Sequence, residues 1–373
     1  MKQPSMCTAV MLATLSLPSV NASADNDGEA KKRIDTKPIV IGHRGASGYV
    51  PEHTLAAYSL AILQGADFVE PDLVMTKDGH LIARHDNVLD VTTDVASRPE
   101  FAARKTTKNV DGVTITGWFS EDFTLGEIKT LRALERIPAD RPANTRFNGQ
   151  FDVPTLQEVI DLVKAMEYVV DREIGIYPET KHPTFFDSIG LSMEEKLVKV
   201  LHKNGYKGPH APVYIQSFEI NNLKELNKMT SLPLVQLLWL EGKPFDVEAA
   251  GGTLSYDMMA TPTGLAEIAT YADGVGPEKY HFIIPKDAFG NLDEGNTTQF
   301  VANAHALNLK VHPYTFRAEN KFLSNQYKIG TDPLAIGDAA SEVKAFLATG
   351  IDGFFTDQPD IGVRARDEFL NTP

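Results

Sequence analysis

Four short segments of the sequence carry side chains that can do chemistry. Ile41-Gly42-His43-Arg44-Gly45 closes an apolar run on a histidine and an arginine, framed by glycines that let the backbone turn sharply and approach a ligand. Val69-Glu70-Pro71-Asp72-Leu73 puts two carboxylates two residues apart in an otherwise apolar run, so an extended backbone points Glu70 and Asp72 to the same side. Pro71 between them removes a ladder donor, which places it where strand pairing ends. Val74-Met75-Thr76, the Asp78-Gly79 turn and Leu81-Ile82-Ala83-Arg84-His85-Asp86 form a hairpin pattern, which returns His85 towards the two acids. Ile176-Tyr177-Pro178-Glu179-Thr180-Lys181 ends a further apolar run on a third acid and a lysine.

Carboxylates buried without partners are costly and must be neutralised by a proton, a base or a cation. A set of hard oxygen ligands suits Mg²⁺ or Ca²⁺ better than Zn²⁺. Add an arginine and a lysine for anionic oxygens and two histidines titrating near neutrality, and the combination is what cleavage of a phosphodiester needs. One imidazole activates the attacking hydroxyl and the other protonates the departing alcohol. Gly45-Ala46-Ser47-Gly48 is not a nucleophile elbow, because its second glycine comes one residue early, and its glycine spacing is not that of a dinucleotide fingerprint.

These segments need elements to position them. Apolar runs recur at Ile39–Gly42, Phe68–Met75, Ile174–Pro178, Val213–Phe218, Leu234–Trp239, Gly274–Gly276, Lys310–Thr315 and Gly353–Thr356. They are apolar throughout rather than alternating, as in strands buried on both faces. Helical patterns lie between them. Thr54 opens one over Leu55–Leu63 with Gly65 at its end, and Thr155-Leu156-Gln157-Glu158 and Ser192-Met193-Glu194-Glu195 are capping boxes ahead of two more. Alternating strands and helices predict an α/β fold of parallel βαβ units, with a TIM (β/α)8 barrel fitting the count of runs better than an open doubly wound sheet. Residues 87–150 break the rhythm, with only Thr124-Leu125-Gly126-Glu127 suggesting a short capped helix, and read as a polar insertion after the second strand. Insertions of this kind sit above the C-terminal face of a barrel and shape access to it.

Lys2, the apolar stretch Ala9–Leu17 and Ala22-Ser23-Ala24 give residues 1–24 the form of a cleaved export signal, with 25–37 as a flexible lead-in and 38–370 as one domain. The single cysteine, Cys7, falls within that signal, so the exported chain needs no oxidative folding. A net charge of −14 argues against nucleic acid and against stable membrane association, since both present anionic surfaces.

Gly42-His43-Arg44-Gly45, Pro51-Glu52-His53-Thr54, Glu70-Pro71-Asp72, His85-Asp86, Glu179-Thr180-Lys181, Val311-His312-Pro313-Tyr314-Thr315 and Phe355-Thr356-Asp357-Gln358-Pro359-Asp360 resemble, in order, the signature of the glycerophosphodiester phosphodiesterases. The export signal, the insertion and the first block are most similar to the periplasmic branch. The resemblance implies a TIM barrel that hydrolyses glycerophosphodiesters to sn-glycerol 3-phosphate and an alcohol. It implies His43 as general base, His85 as general acid, Glu70, Asp72 and Glu179 on a divalent metal, and Arg44 and Lys181 on the phosphate. Calcium is the metal expected of that branch, magnesium the alternative. His53 stands where the wider family has asparagine, though the periplasmic branch also shows histidine; Thr180 replaces a commoner aliphatic residue and is expected to face away. Glu52 is expected to support the site, and Gln216, Trp239, Tyr314 and Phe316 to line the glycerol side. Two other functions compete on the same barrel: phospholipase C- or D-like cleavage of a membrane lipid, and a non-enzymatic surface-binding protein. The second of these predicts degraded acids or histidines, and none is degraded here.

Overall fold

The computed structural model describes residues 37–371. The expected signal 1–24, Cys7 and nearly all of the lead-in 25–37 lie outside the described residues.

The chain enters through β1 (Ile39–His43), whose side chains are almost wholly buried, and turns into α1 (Leu55–Leu63). Thr54 caps α1 by accepting the Ala57 N–H, and Gly65 leaves it with φ +95°, as the sequence predicts. The second apolar run divides at Pro71 into β2 (Phe68–Glu70) and β3 (Asp72–Met75). β3 folds back through Gly79 (φ +80°) onto β4 (Leu81–Ala83), antiparallel, which is the expected hairpin.

Residues 87–150 hold more structure than their sequence suggests. A second hairpin, β5 (Thr106–Val110) and β6 (Val113–Gly117), turns on Asp111-Gly112, both with positive φ. This is the same Asp-Gly signal as at 78–79, but its flanking residues are mostly threonine and valine that stay exposed. The short helix α2 (Leu125–Ile128) has the predicted capping box between Thr124 and Glu127. Phe101, Trp118, Phe119 and Phe123 are buried, so the segment is anchored by an aromatic core and is not simply polar.

After it, α3 (Leu156–Val170) starts at the Thr155–Glu158 capping box and buries Leu156, Val159, Ile160 and Val163 on one face. Next come β7 (Gly175–Ile176), β8 (Glu179–Thr180), α4 (Pro183–Ser188) and α5 (Glu194–Lys203). The capping box expected from Ser192 to Glu195 does not form. Met193 occupies the cap and is buried, and Glu194 accepts from the Ser192 hydroxyl, the Met193 N–H and the Asn222 amide. Packing of Met193 and the pull of Asn222 on Glu194 override the local pattern. The chain continues through β9 (Ile215–Ser217), α6 (Ile220–Met229), β10 (Leu234–Leu238), β11 (Gly274–Pro277), β12 (Lys310–Val311) and β13 (Gly353–Thr356), with helices between.

The strands form two arrays, β13-β1-β2-β7 and β12-β11-β10-β9-β8-β3-β4, all parallel except the β3–β4 hairpin. This is the alternating parallel α/β architecture read from the sequence. Across the two arrays, Asp352 donates its N–H to Val311 O and Phe355 to Pro313 O on one side, and Ile176 to Pro212 O on the other. Pro71 falls where pairing ends, as expected, and the chain there is handed to a second ladder. Pairing with β1 stops at Glu70, while Asp72 begins pairing with β8. A small apolar cluster of Ile41, Tyr177, Val235 and Phe355 gathers side chains from well-separated strands beneath the site.

Gly45 shows how tightly the first βα turn is drawn. Its φ is +85°, and a Cβ there would lie 2.5 Å from the Ala57 carbonyl carbon in α1. Gly45→Ala is expected to cost roughly 2–5 kcal/mol, the sum of left-handed strain and overpacking, read as a drop in urea midpoint with unchanged slope.

Candidate active site

Strand register assembles the site. His43 is the last residue of β1 and pairs with Glu70, the last of β2. Asp72 pairs with Glu179 of β8, and Glu179 pairs with Gln216 of β9. Five strands thus bring one histidine, three acids and an amide together, each through backbone ladders that no side-chain rotation can undo. Ligand oxygens of Glu70, Asp72 and Glu179 lie within 4.8 Å of one another, and all three residues are buried. His43, Arg44, Glu70, His85, Glu179, Lys181, Gln216, Trp239 and Tyr314 line a cavity of about 1000 Å³. Asp72 lies just behind this wall.

Opposite charges surround the acids. Arg44 places Nε 3.3 Å from Asp72 Oδ2, donates from Nη1 to Glu52 at 3.0 Å, and gives its backbone N–H to Glu70 Oε2 at 2.8 Å. It does so from the left-handed region, φ 60°. His53 Nε2 meets Asp72 Oδ2 at 2.9 Å, with its Nδ1 on the Tyr58 hydroxyl at 2.8 Å. Lys181 donates to Glu179 at 2.8 Å. Glu52 is therefore the support expected of it, shared between Arg44 and Arg136.

The three acids divide electrostatically. Burial works to raise Asp72, but Arg44 and the hydrogen bond from His53 outweigh it and hold Asp72 well below the usual carboxylate range. Burial and the neighbouring Asp72 charge raise Glu70 well above that range. Burial pushes Glu179 up to about 8 against the opposing pull of Lys181. Three ionised carboxylates cannot share this volume without another cation. The donor set fits one: three carboxylates, all hard oxygens, and the buried Gln216 Oε1, which has no hydrogen-bond partner.

Each histidine is oriented by its own aspartate. His43 Nδ1 lies 2.6 Å from Asp357 Oδ1, and His85 Nδ1 lies 2.7 Å from Asp86 Oδ2. Ionised carboxylates only accept, so each Nδ1 carries the hydrogen and Nε2 is left for reaction. Burial would raise Asp357, but Arg141 and Arg317 hold it well below the usual range. Burial, then Arg44, lower His43 to about 4. Burial, then Arg44 and Lys181, lower His85 to about 4. Both imidazoles are neutral at pH 7, so their division of labour comes from position and not from resting charge.

Among the expected pocket residues, Gln216 donates to Glu70 at 3.2 Å. Trp239 and Tyr314 stack at 6.2 Å and 16°, with Trp239 45% exposed at the mouth. Phe316 is a correction. It packs against Phe346 and Phe354 beneath Lys279, because that aromatic core takes its ring, while Tyr314, Thr315 and Arg317 line the cavity. Thr180 turns its hydroxyl to Asn222 of α6, although the residue still contributes to the cavity wall.

The sequence reading assigned no role to Asp357 and Asp86, although both stand in the motifs it quoted. Arg136, Arg141 and Arg317 carry no local signal, because only the folded chain brings 136 and 141 of the insertion beside 317 and 357.

A model of the glycerophosphoryl diester phosphodiesterase family matches residues 43–361. The glycerophosphodiester phosphodiesterase GDPD6 of Arabidopsis thaliana is 39% identical over 88% of this chain and 86% of its own. A glycerophosphodiester phosphodiesterase of Haemophilus influenzae is 34% identical over 93% of this chain and 94% of its own. The structure of an Oleispira antarctica phosphodiesterase in complex with the product sn-glycerol-3-phosphate shares the TIM-like α/β fold, with TM-score 0.52, 21% identity, and coverage of 88% of this chain and 97% of that one. With its first histidine opening that match and its carboxylates, cations and second histidine inside it, the chain belongs to the glycerophosphoryl diester phosphodiesterase family.

Proposed function

We propose that the chain hydrolyses glycerophosphodiesters to sn-glycerol 3-phosphate and an alcohol. The observation that carries this reading is the pairing of two aspartate-oriented histidines with three buried acids around one cavity. The glycerophosphodiester phosphodiesterase names of its relatives and the product held by the Oleispira antarctica neighbour support the substrate class.

Glu70, Asp72 and Glu179 would hold a divalent cation, Ca²⁺ in the first instance with Mg²⁺ as the alternative. When bound, that ion supplies charge to polarise the phosphoryl oxygens. Arg44 and Lys181 hold the phosphate's remaining charge, and in doing so the bound anion offsets the two cations that depress His85. His43 Nε2 then takes the proton of the attacking hydroxyl, with the charge formed on its ring balanced by Asp357. With those cations offset, His85 takes up a proton from solvent at Nε2 as the anion binds, its charge balanced by Asp86, and Nε2 then gives that proton to the departing alkoxide. Trp239, Tyr314 and Gln216 line the organic part of the substrate.

Residues 38–370 act as one closed eightfold barrel with the 87–150 segment over its mouth; the hydrogen bonds between the two strand arrays support closure. The export signal at 1–24 supports a periplasmic or secreted site of action, in the periplasmic branch of the family. The strong net negative charge supports a soluble small-molecule substrate and not nucleic acid or membrane. Among the described residues, no helix is long and apolar enough to cross a membrane.

Two measurements test this. Glycerophosphocholine turnover, followed by glycerol 3-phosphate release, is expected to stop with EDTA and to fall roughly 10²–10⁴-fold in kcat for His43→Ala and for His85→Ala. Full turnover with EDTA, or release of phosphocholine instead, sinks the assignment. Separately, without divalent cation the raised Glu179 makes the folded state bind the extra proton, so stability falls as pH climbs from 4.5 to about 8. Saturating Ca²⁺ is expected to raise Tm and lessen that slope, and Glu179→Gln to weaken both the Ca²⁺ effect and the slope in thermal melts taken across that range.

A further inference from the structure

Beyond the aspartate on His85, a second histidine–aspartate pair continues the chain of contacts out of the cavity. Asp86 Oδ2 holds His85 Nδ1 at 2.7 Å, while its other oxygen, Oδ1, faces His182 Nε2 at 3.7 Å. His182 Nδ1 lies 2.5 Å from Asp111 Oδ2. Asp111 is the first residue of the two-residue turn at the tip of the β5–β6 hairpin, so this chain of contacts links His85 to the insertion.

Several features show that the tip is held for this contact. Both ends of the link have left-handed backbones, Asp111 at φ 49° and His182 at φ 53°. His182 directly precedes Pro183, the first residue of α4, so its backbone is constrained by the helix start. The stem of the hairpin is largely exposed, yet Val110 beside the turn is buried, and Asp111 itself lines the cavity. Two-stranded hairpins are marginal alone and stay put only where something pins them. Burial would lower His182, but its hydrogen bond to Asp111 and the pull of Asp86, 3.7 Å away, outweigh it and raise the ring to about 9. A charged imidazole donates to Asp111 and attracts Asp86 as an ion pair, so it links two carboxylates that would otherwise repel.

We infer that Asp111 and His182 are positioning residues for proton donation by His85: the hairpin tip fixes His182, His182 fixes the Asp86 carboxylate, and Asp86 fixes the ring that protonates the departing alcohol. The inference rests on His85 being the general acid, as proposed above. Its consequence is selective. A misplaced acid slows departure of an alkoxide, which must take up a proton. It does not slow departure of a nitrophenolate, which leaves without one.

Asp111→Asn and His182→Gln, with His85→Ala alongside, are to be assayed on glycerophosphocholine and on the p-nitrophenyl ester of glycerol phosphate. For glycerophosphocholine, the two positioning variants are expected to lose roughly 10- to 100-fold in kcat with KM little changed, the scale of a reacting group shifted by about an ångström. On the nitrophenyl ester they are expected to turn over at the wild-type rate. His85→Ala is expected to show the same split more strongly, and Asp111→Asn on that background to cost nothing further. If His85→Ala slows both esters alike, the acid assignment fails and the inference with it. If His85→Ala shows the split and the positioning variants do not, because they are unaffected or slow both esters equally, the acid assignment stands and the inference is overturned.

Discussion

The constraint on which the rest of the structure depends is the burial of three carboxylates at the ends of apolar strands. Glu70, Asp72 and Glu179 are each less than a tenth exposed, and their mutual repulsion in a poorly screened volume has to be met by the surroundings. Much of the local architecture is that response. Arg44 leaves β1 in a left-handed conformation, which aims its N–H at Glu70 and its guanidinium at Asp72 and Glu52. His53, also left-handed, gives its imidazole to Asp72 and its N–H to Arg44 O. Gly45 admits α1 close enough for Tyr58 to finish that histidine's hydrogen bonding. Remove the acids, and neither the strained backbone nor the close helix has a reason to persist.

Repulsion among the acids also organises the reaction. Burial, aided by the cations recruited to neutralise them, depresses His85, and burial with Arg44 depresses His43, so both imidazoles rest uncharged. An anionic substrate reverses the balance locally. The same groups that make the cavity electrostatically tense thus make it selective for a negatively charged guest, which an overall acidic protein does not otherwise attract.

How far this was legible in the sequence follows the range of the interactions involved. Glu70 and Asp72 were readable because two acids in an apolar run violate the rule for buried strands, and His43, His85, Glu179 and Lys181 because they end such runs. The capping residues Thr54, Thr124 and Thr155 were readable because a cap is settled within four residues. Ser192 failed for the opposite reason: Asn222, 28 residues on, competes for Glu194. Phe316 failed because Phe346 and Phe354, both distant in sequence, take its ring. The arginines around Asp357 were invisible, since nothing near 136, 141 or 317 marks them. The 106–117 hairpin was missed although its turn is spelled in the same two letters as the one at 78–79, because its flanks lack the apolar alternation that usually accompanies that turn.

Pro71 has a mechanical consequence. It hands one continuous stretch of chain from the β1–β2 ladder to the β3–β8 ladder, so Glu70 is fastened to one array and Asp72 and Glu179 to the other. An ion held by all three acts as a rivet across that seam. Fraying of either ladder opens the grip, and tightening the grip restrains the fraying of both. Affinity for the ion and stiffness of the cavity rim are then one quantity observed from two directions.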